Sequence, residues 1–257
     1  MAEGLVVADI SLAFGGLSVF RHVGFGVRPG ELVALIGPNG AGKTSVLNCI
    51  GGIYRPLTGR IDFDGVELTG RKPHQVAGFG VARTFQHAEL VAHMSVVDNL
   101  LLGRHRVIRS GFLGEAWRSP HTRAEEDRHR RAVEEVIDFV ELERHRHAMV
   151  DKLSFGLQKV VGFARALASE PRLLLLDEPS AGLNREEKED LSRFILRAKH
   201  EKGPAMLWVE HDMQMVADLA DRIVVLNYGE LIADGPPSAV LADPRVVEAY
   251  LGASRTS

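Results

Sequence analysis

The sequence predicts an α/β fold: a parallel core sheet with helices, an antiparallel β layer beside it, and an inserted α-helical subdomain. Three observations predict it. Short apolar runs at 31–36, 173–176, 205–209 and 223–226 have the character of strands buried on both faces, and helical segments at 185–200 and 213–220 separate the last three. Residues 5–10, 23–27 and 59–65 are short and β-like, with turns at Phe14-Gly15-Gly16 and Asp64-Gly65, as expected of an antiparallel layer. Between 91 and 150 the pattern turns helical, broken near Ser110-Gly111 and Ser119-Pro120.

The first core strand, 31–36, runs into Gly37-Pro38-Asn39-Gly40-Ala41-Gly42-Lys43-Thr44, and residues 44–50 open a helix. This octapeptide fits the phosphate-binding loop G-x-x-x-x-G-K-[ST] without mismatch and predicts a nucleoside triphosphate site. Gly37, Gly40 and Gly42 allow a tight turn whose N–H groups, with the helix N-terminus, bind polyanionic phosphate. Lys43 adds a point charge for the β and γ phosphates, and Thr44 offers its hydroxyl to Mg²⁺.

With 257 residues, 45% hydrophobic and 25% charged, the chain has material for one or two closely associated domains. A net charge of −3 gives no whole-chain reason to expect nucleic acid as a partner. The single cysteine, Cys49, lies on the helix after the phosphate loop and is expected to be small and buried, in keeping with a reducing, cytoplasmic compartment. No stretch approaches the ~18 apolar residues of a membrane span, and the N-terminus lacks a basic-then-apolar signal pattern. The chain is expected to be soluble, or peripheral through a partner.

In the helical region, Ala132, Val133, Val136, Ile137 and Val140 define one amphipathic helix over 123–142. Residues 103–147 hold ten Arg and five His but also nine Asp and Glu, which predicts a solvated, salt-bridged face rather than a nucleic-acid surface. His145-Arg146-His147 lacks metal-site spacing, so no metal is assigned there. After the last core strand, Asn227-Tyr228-Gly229 turns into 230–233, and short helices start at Ser238 and Pro244.

Two segments carry further chemistry. The Leu run at 173–176 ends in Asp177-Glu178, an acidic pair that a Mg-nucleotide hydrolase needs: Asp177 to hold Mg²⁺ through water, Glu178 to orient and polarise the attacking water. Ser154 precedes a helical run at 160–168, where it serves equally well as an ordinary N-cap or as part of a phosphate-binding helix start.

The phosphate loop, Gln86 in Thr84-Phe85-Gln86, Leu153-Ser154-Phe155-Gly156-Leu157-Gln158-Lys159, Asp177-Glu178-Pro179, Ser180-Ala181-Gly182-Leu183-Asn184 and His211 occur in one order. That order resembles the nucleotide-binding domains of ABC transporters, over nearly the whole chain. Ala82-Arg83-Thr84-Phe85-Gln86, Glu210-His211-Asp212-Met213 and Val247-Glu248-Ala249-Tyr250-Leu251-Gly252 look most like the ATPase subunits of branched-chain amino-acid importers.

The resemblance implies a single ABC ATPase domain, with a nucleotide-binding core and β layer at about 1–90 and 165–257 and a helical insertion at about 91–164 carrying the signature segment. It implies ATP and Mg²⁺ as ligands. Phe14 corresponds to the aromatic that stacks on adenine, Gln86 to the glutamine that touches Mg²⁺, and His211 to the switch histidine at the γ-phosphate. Ser154 and Gly156 match signature residues that bind the γ-phosphate of ATP held by an opposite protomer, identical or paralogous. Permease subunits and, indirectly, a periplasmic or lipid-anchored solute-binding protein are the implied partners, at the cytoplasmic face of the membrane. The segment from Gln86 to about Asn99, with Leu90, Val91, Met94 and Val96, is either the permease-docking surface or insertion core. Phe155 stands where most members have glycine, and Leu157 stands where glutamine is usual, which puts one polar contact across the ATP sandwich in doubt.

Rival readings are an importer for another small polar solute such as urea, an exporter, or a mechanical ATPase acting on DNA or ribosomes. The last needs a second cassette, a long coiled coil or a basic face, and none is visible. A GTPase lacks its Asn-Lys-x-Asp segment here.

Overall fold

The computed structural model describes residues 4–84, 90–104 and 120–253, and these divide into two compact units. The first unit comprises Met1–Arg83, Arg172–Glu178 and Ile195–Ser257. Its centre is a six-stranded sheet of order β10-β9-β3-β8-β7-β6, built from β3 (Leu32–Ile36), β6 (Val81–Thr84), β7 (Leu173–Asp177), β8 (Ala205–Val209), β9 (Arg222–Asn227) and β10 (Glu230–Gly235). β3 pairs in parallel with β8 and β9, β8 pairs in parallel with β7, and β10 returns antiparallel on β9. Every residue of β3, β7 and β8 is buried, which is why these strands are continuous apolar runs rather than alternating ones.

The second sheet, order β2-β1-β4-β5, consists of β1 (Leu5–Phe14), β2 (Leu17–Val27), β4 (Thr58–Phe63) and β5 (Val66–Glu67). It is antiparallel throughout. Both strands of its first hairpin run longer than the sequence indicated, up to the Gly15-Gly16 turn. Asp64 and Gly65 both take positive φ, the backbone that a two-residue hairpin of matching twist demands. One apolar core joins the two sheets, with Val7, Phe20 and Phe63 from the antiparallel sheet and Leu35, Leu175 and Leu207 from the parallel one.

Helix α1 (Lys43–Ile50) follows β3, and short α2 (Pro73–Gly78) precedes β6. Neither α2 nor β6 was evident from sequence, because six and four residues are too few to establish a period.

The second unit comprises Thr84–Pro171 and Pro179–Phe194. Its helices are α3 (Val96–Gly103), α4 (Pro120–Phe139) and α5 (Phe155–Ala168), together with the start of α6 (Arg185–Lys202). Acidic Glu186 and Glu187 at the start of α6 and basic Lys199, His200 and Lys202 at its end complement the helix dipole.

The salt-bridged face exists in part. Arg130 pairs with Glu126 and Arg146 with Glu134 at 3.0 Å. Arg104 is instead buried, its guanidinium donating to His129 Nδ1, to the Ala168 carbonyl and to Glu170. The remaining helices are α7 (Met213–Leu219), α8 (Pro237–Val240) and α9 (Pro244–Ala253). No helix among the described residues is long and apolar enough to cross a membrane.

Candidate functional site

The parallel sheet places its loops at the carboxyl ends of its strands, and Lys43, Asp177, Glu178 and His211 gather there. Gly37 follows β3 with φ 148°, and a Cβ at this position would lie 2.0 Å from the Leu226 carbonyl oxygen, so the close approach of loop to β9 requires glycine. Pro38 is half-buried, Asn39 and Gly40 are exposed, and Ala41 is buried, its N–H bonded to the Pro38 carbonyl at 3.2 Å. Gly42, in the left-handed region at φ 101°, is the N-cap of α1. No side chain caps this helix and no acidic residue lies in its first turn, which suits the helix start to an anion.

Lys43 is buried, and its Nζ donates to the carbonyls of Gly37 at 2.7 Å and Pro38 at 2.9 Å, so the lysine braces the loop that precedes it. Burial holds its pKa below the ordinary lysine value, against the opposing pull of Glu178 and then Asp177. Thr44 is exposed on the first turn of α1. Cys49, farther along, is a free buried thiol, pushed up to about 12 by burial, as befits a packing residue.

Asp177 ends β7, and Arg83 of β6 donates to its Oδ2 at 2.6 Å; the same guanidinium donates to Asn48 Oδ1 of α1 at 2.6 Å. Glu178 takes a left-handed backbone, φ 46°, and its N–H bonds to the Val209 carbonyl at 2.9 Å. Its carboxylate Oε1 lies 2.8 Å from His211 Nε2. Because a carboxylate only accepts, the histidine donates from Nε2 in this pair. The histidine loop is held in turn by buried Glu210, whose Oε1 accepts from the N–H groups of His211 at 2.8 Å and Asp212 at 3.3 Å. Asp212 then caps α7, accepting from Gln214 and Met215 N–H at 3.2 Å.

The residues present fit Mg²⁺. Among the described residues no cluster of three or more His, Cys, Asp or Glu forms an all-protein metal cage. What they offer is a hydroxyl, Thr44, and a carboxylate, Asp177: hard oxygen donors of the kind that bind Mg²⁺ jointly with substrate phosphates and water.

Phe14 is 48% exposed and meets Tyr54 edge-on, with ring centroids 5.1 Å apart. Gln86 lies outside the described residues. Arg83, Glu210 and Tyr250 are site neighbours to which sequence reasoning gave no role. Tyr250 of α9 sits with its hydroxyl buried beside the Gly37 backbone, short of a formed hydrogen bond, and burial pushes its pKa up to about 12. The only hint in the sequence was that all three sit in the segments carrying the family resemblance.

In the second unit, Ser154 is the N-cap of α5, and its Oγ accepts from Leu157 N–H at 3.3 Å. Gly156 is buried against Glu187; a Cβ here would meet the Glu187 carboxylate at 2.2 Å. Glu187 and Asn184 exchange reciprocal side-chain to backbone hydrogen bonds of 3.0 Å at the start of α6. Exposed Phe155 lies with Lys159 Nζ 5.4 Å from its ring centroid, and its ring edge fills the space over Gly182, where a Cβ would come within 2.9 Å. The aromatic departure in the signature is thus matched by a glycine in the 180–184 loop. In the 90–99 segment, Val96 is fully buried and leaves the candidate docking surface, Val91 is exposed, and Leu90 and Met94 are half-buried. Buried Asn99 organises the turn through the carbonyls of Val91 and Ser95 and the Val91 N–H.

The chain was compared with known proteins. Residues 20–181 match the family described as ABC transporter, and 230–255 match that described as branched-chain amino acid ATP-binding cassette transporter. The chain is 39% identical over 248 residues to the high-affinity branched-chain amino acid transport ATP-binding protein BraF of Pseudomonas aeruginosa, covering 96% of this chain and 97% of that protein. With LivG of Escherichia coli, also a high-affinity branched-chain amino acid transport ATP-binding protein, identity is 36% at the same coverage. Among solved structures, the ADP conformation of MJ1267, an ATP-binding cassette of an ABC transporter, superposes with a TM-score of 0.85 at 30% identity, covering 98% of this chain and 100% of that one.

Proposed function

Because the chain belongs to the ABC transporter family, we propose that it is the ATP-binding and ATP-hydrolysing subunit of an importer for branched-chain amino acids. The observation that carries the hydrolytic part is the meeting of Lys43, Asp177, Glu178 and His211 at one end of one sheet, with Glu178 held in a left-handed turn against His211. The loop of residues 37–44 receives the phosphates through backbone N–H groups and the Lys43 charge, which burial keeps from being screened by water. Thr44 and Asp177 would hold Mg²⁺, which would neutralise charge on the phosphates. Glu178 orients the attacking water and accepts its proton, while the His211 Nε2 contact holds that carboxylate in place; the family resemblance makes His211 the switch histidine at the γ-phosphate. Ser154 and Gly156 serve a second protomer's ATP, giving a head-to-tail dimer on permease subunits at the cytoplasmic face of the membrane. By the family resemblance, Gln86 would offer a further oxygen to Mg²⁺, and Phe14 would stack on adenine.

Uptake of labelled leucine by cells lacking this subunit tests the assignment. Import is restored by the native chain and not by Lys43→Ala. Restoration of urea uptake with leucine uptake unaffected overturns it.

A further inference from the structure

The ion pair between Arg83 and Asp177 lies among the least exposed charges of the first unit, at 10% and 4% side-chain exposure. Little water screens it, so the guanidinium acts on the carboxylate at nearly full strength. Its second prong, at 2.6 Å from Asn48 Oδ1, fixes the fork to the helix that opens on the phosphate loop. A cation approaching Asp177 therefore meets a carboxylate already committed through Oδ2, beside a positive charge that cannot swing away without giving up Asn48.

We propose that Arg83 is a positioning residue that holds Asp177 for the metal and lowers its affinity for a divalent cation, so that Mg²⁺ binds firmly only together with nucleotide phosphates. The inference rests on the Mg-ATPase reading of the site. The guanidinium reaches its two oxygen partners, on different elements, through separate nitrogens, Nη1 to Asn48 and Nη2 to Asp177.

The test uses the full chain, as native protein, Arg83→Met and Arg83→Lys. Thermal unfolding is followed against Mg²⁺ or Mn²⁺ alone, and binding of a fluorescent ATP analogue against the same titration. The native protein shows metal-dependent nucleotide binding and little response to metal alone. Arg83→Met, which removes the guanidinium paired with the buried Asp177 carboxylate, unfolds at lower temperature, is rescued by metal alone, and needs about fivefold less Mg²⁺ for half-maximal tightening of nucleotide. Arg83→Lys keeps the charge and stays near the native midpoint. If Arg83→Met loses stability with an unchanged metal midpoint, the residue is merely structural and the inference fails. A raised metal midpoint overturns it too, since Arg83 then aids the metal. If nucleotide binding by the native protein ignores Mg²⁺, the reading of the site fails first, and the two failures are distinguishable.

Discussion

Helices α1 and α5 both begin at glycine-containing loops assigned to phosphate, but they are built in opposite ways. At α1 no side chain caps the helix, the N-cap glycine is left-handed, and a buried lysine is folded back on the loop carbonyls. At α5 the serine caps its own helix and stands exposed, and the neighbouring glycine is packed against the Glu187 carboxylate. The first is preorganised for an anion by its own unit. The second is an ordinary capped helix, and the role the resemblance implies for it would need a ligand presented from elsewhere. A motif fixed by backbone geometry can thus be recognised alone, while one defined by a partner cannot.

The largest expected effect asks whether the first unit binds and hydrolyses through different groups. Glu178→Gln lowers the turnover of Mg-ATP by about 10²- to 10⁴-fold, because an amide cannot take a proton from water, while leaving the phosphate loop and the ATP affinity intact. Equal loss of affinity, read by nucleotide titration, would merge binding and chemistry and contradict the separation of roles between Lys43 and Glu178.

Next comes a paired test of the two helix starts. Lys43→Ala weakens Mg-ATP binding by the isolated subunit by roughly 10- to 100-fold, since a hydrogen bond to a charged group is worth about 1.5–3 kcal/mol. Ser154→Ala leaves that affinity unchanged but removes a helix cap, about 1 kcal/mol of stability. Calorimetric nucleotide titration with thermal melts checks both; a drop in monomer affinity for Ser154→Ala would erase the contrast.

The smallest effect concerns the departure at Leu157. In a Glu178→Gln background, Leu157→Gln restores a polar group facing the opposing protomer and tightens ATP-driven dimerisation by roughly fivefold, one side-chain hydrogen bond's worth. Sedimentation in ATP reads it. No gain would mean that the second helix start is already complete without glutamine.

What the sequence made legible follows the same divide. The octapeptide was readable because the left-handed glycine at 42 and the lysine at 43, bonded to the Gly37 and Pro38 carbonyls, answer local geometric demands. The buried strands were readable because burial on both faces removes polar residues altogether. The Arg83 fork was not, since it joins residues 35 and 94 positions apart. The fit of Phe155 over Gly182 was hidden for the same reason, each residue making sense only beside the other. Val96 counted as candidate docking surface because an apolar cluster after a loop reads alike whether a partner or the chain itself covers it; the fold buries it in the second unit. Residues of the signature segment were assigned only by resemblance, since a serine before a helix is the commonest of caps.

The left-handed backbone of Glu178 sets two selections against each other. A non-glycine residue held there carries about 1–3 kcal/mol of strain, so replacement by asparagine, which tolerates the conformation better, relaxes the turn while removing the base. Screens of this subunit for heat resistance alone would therefore admit changes at position 178, and return proteins that bind ATP without hydrolysing it.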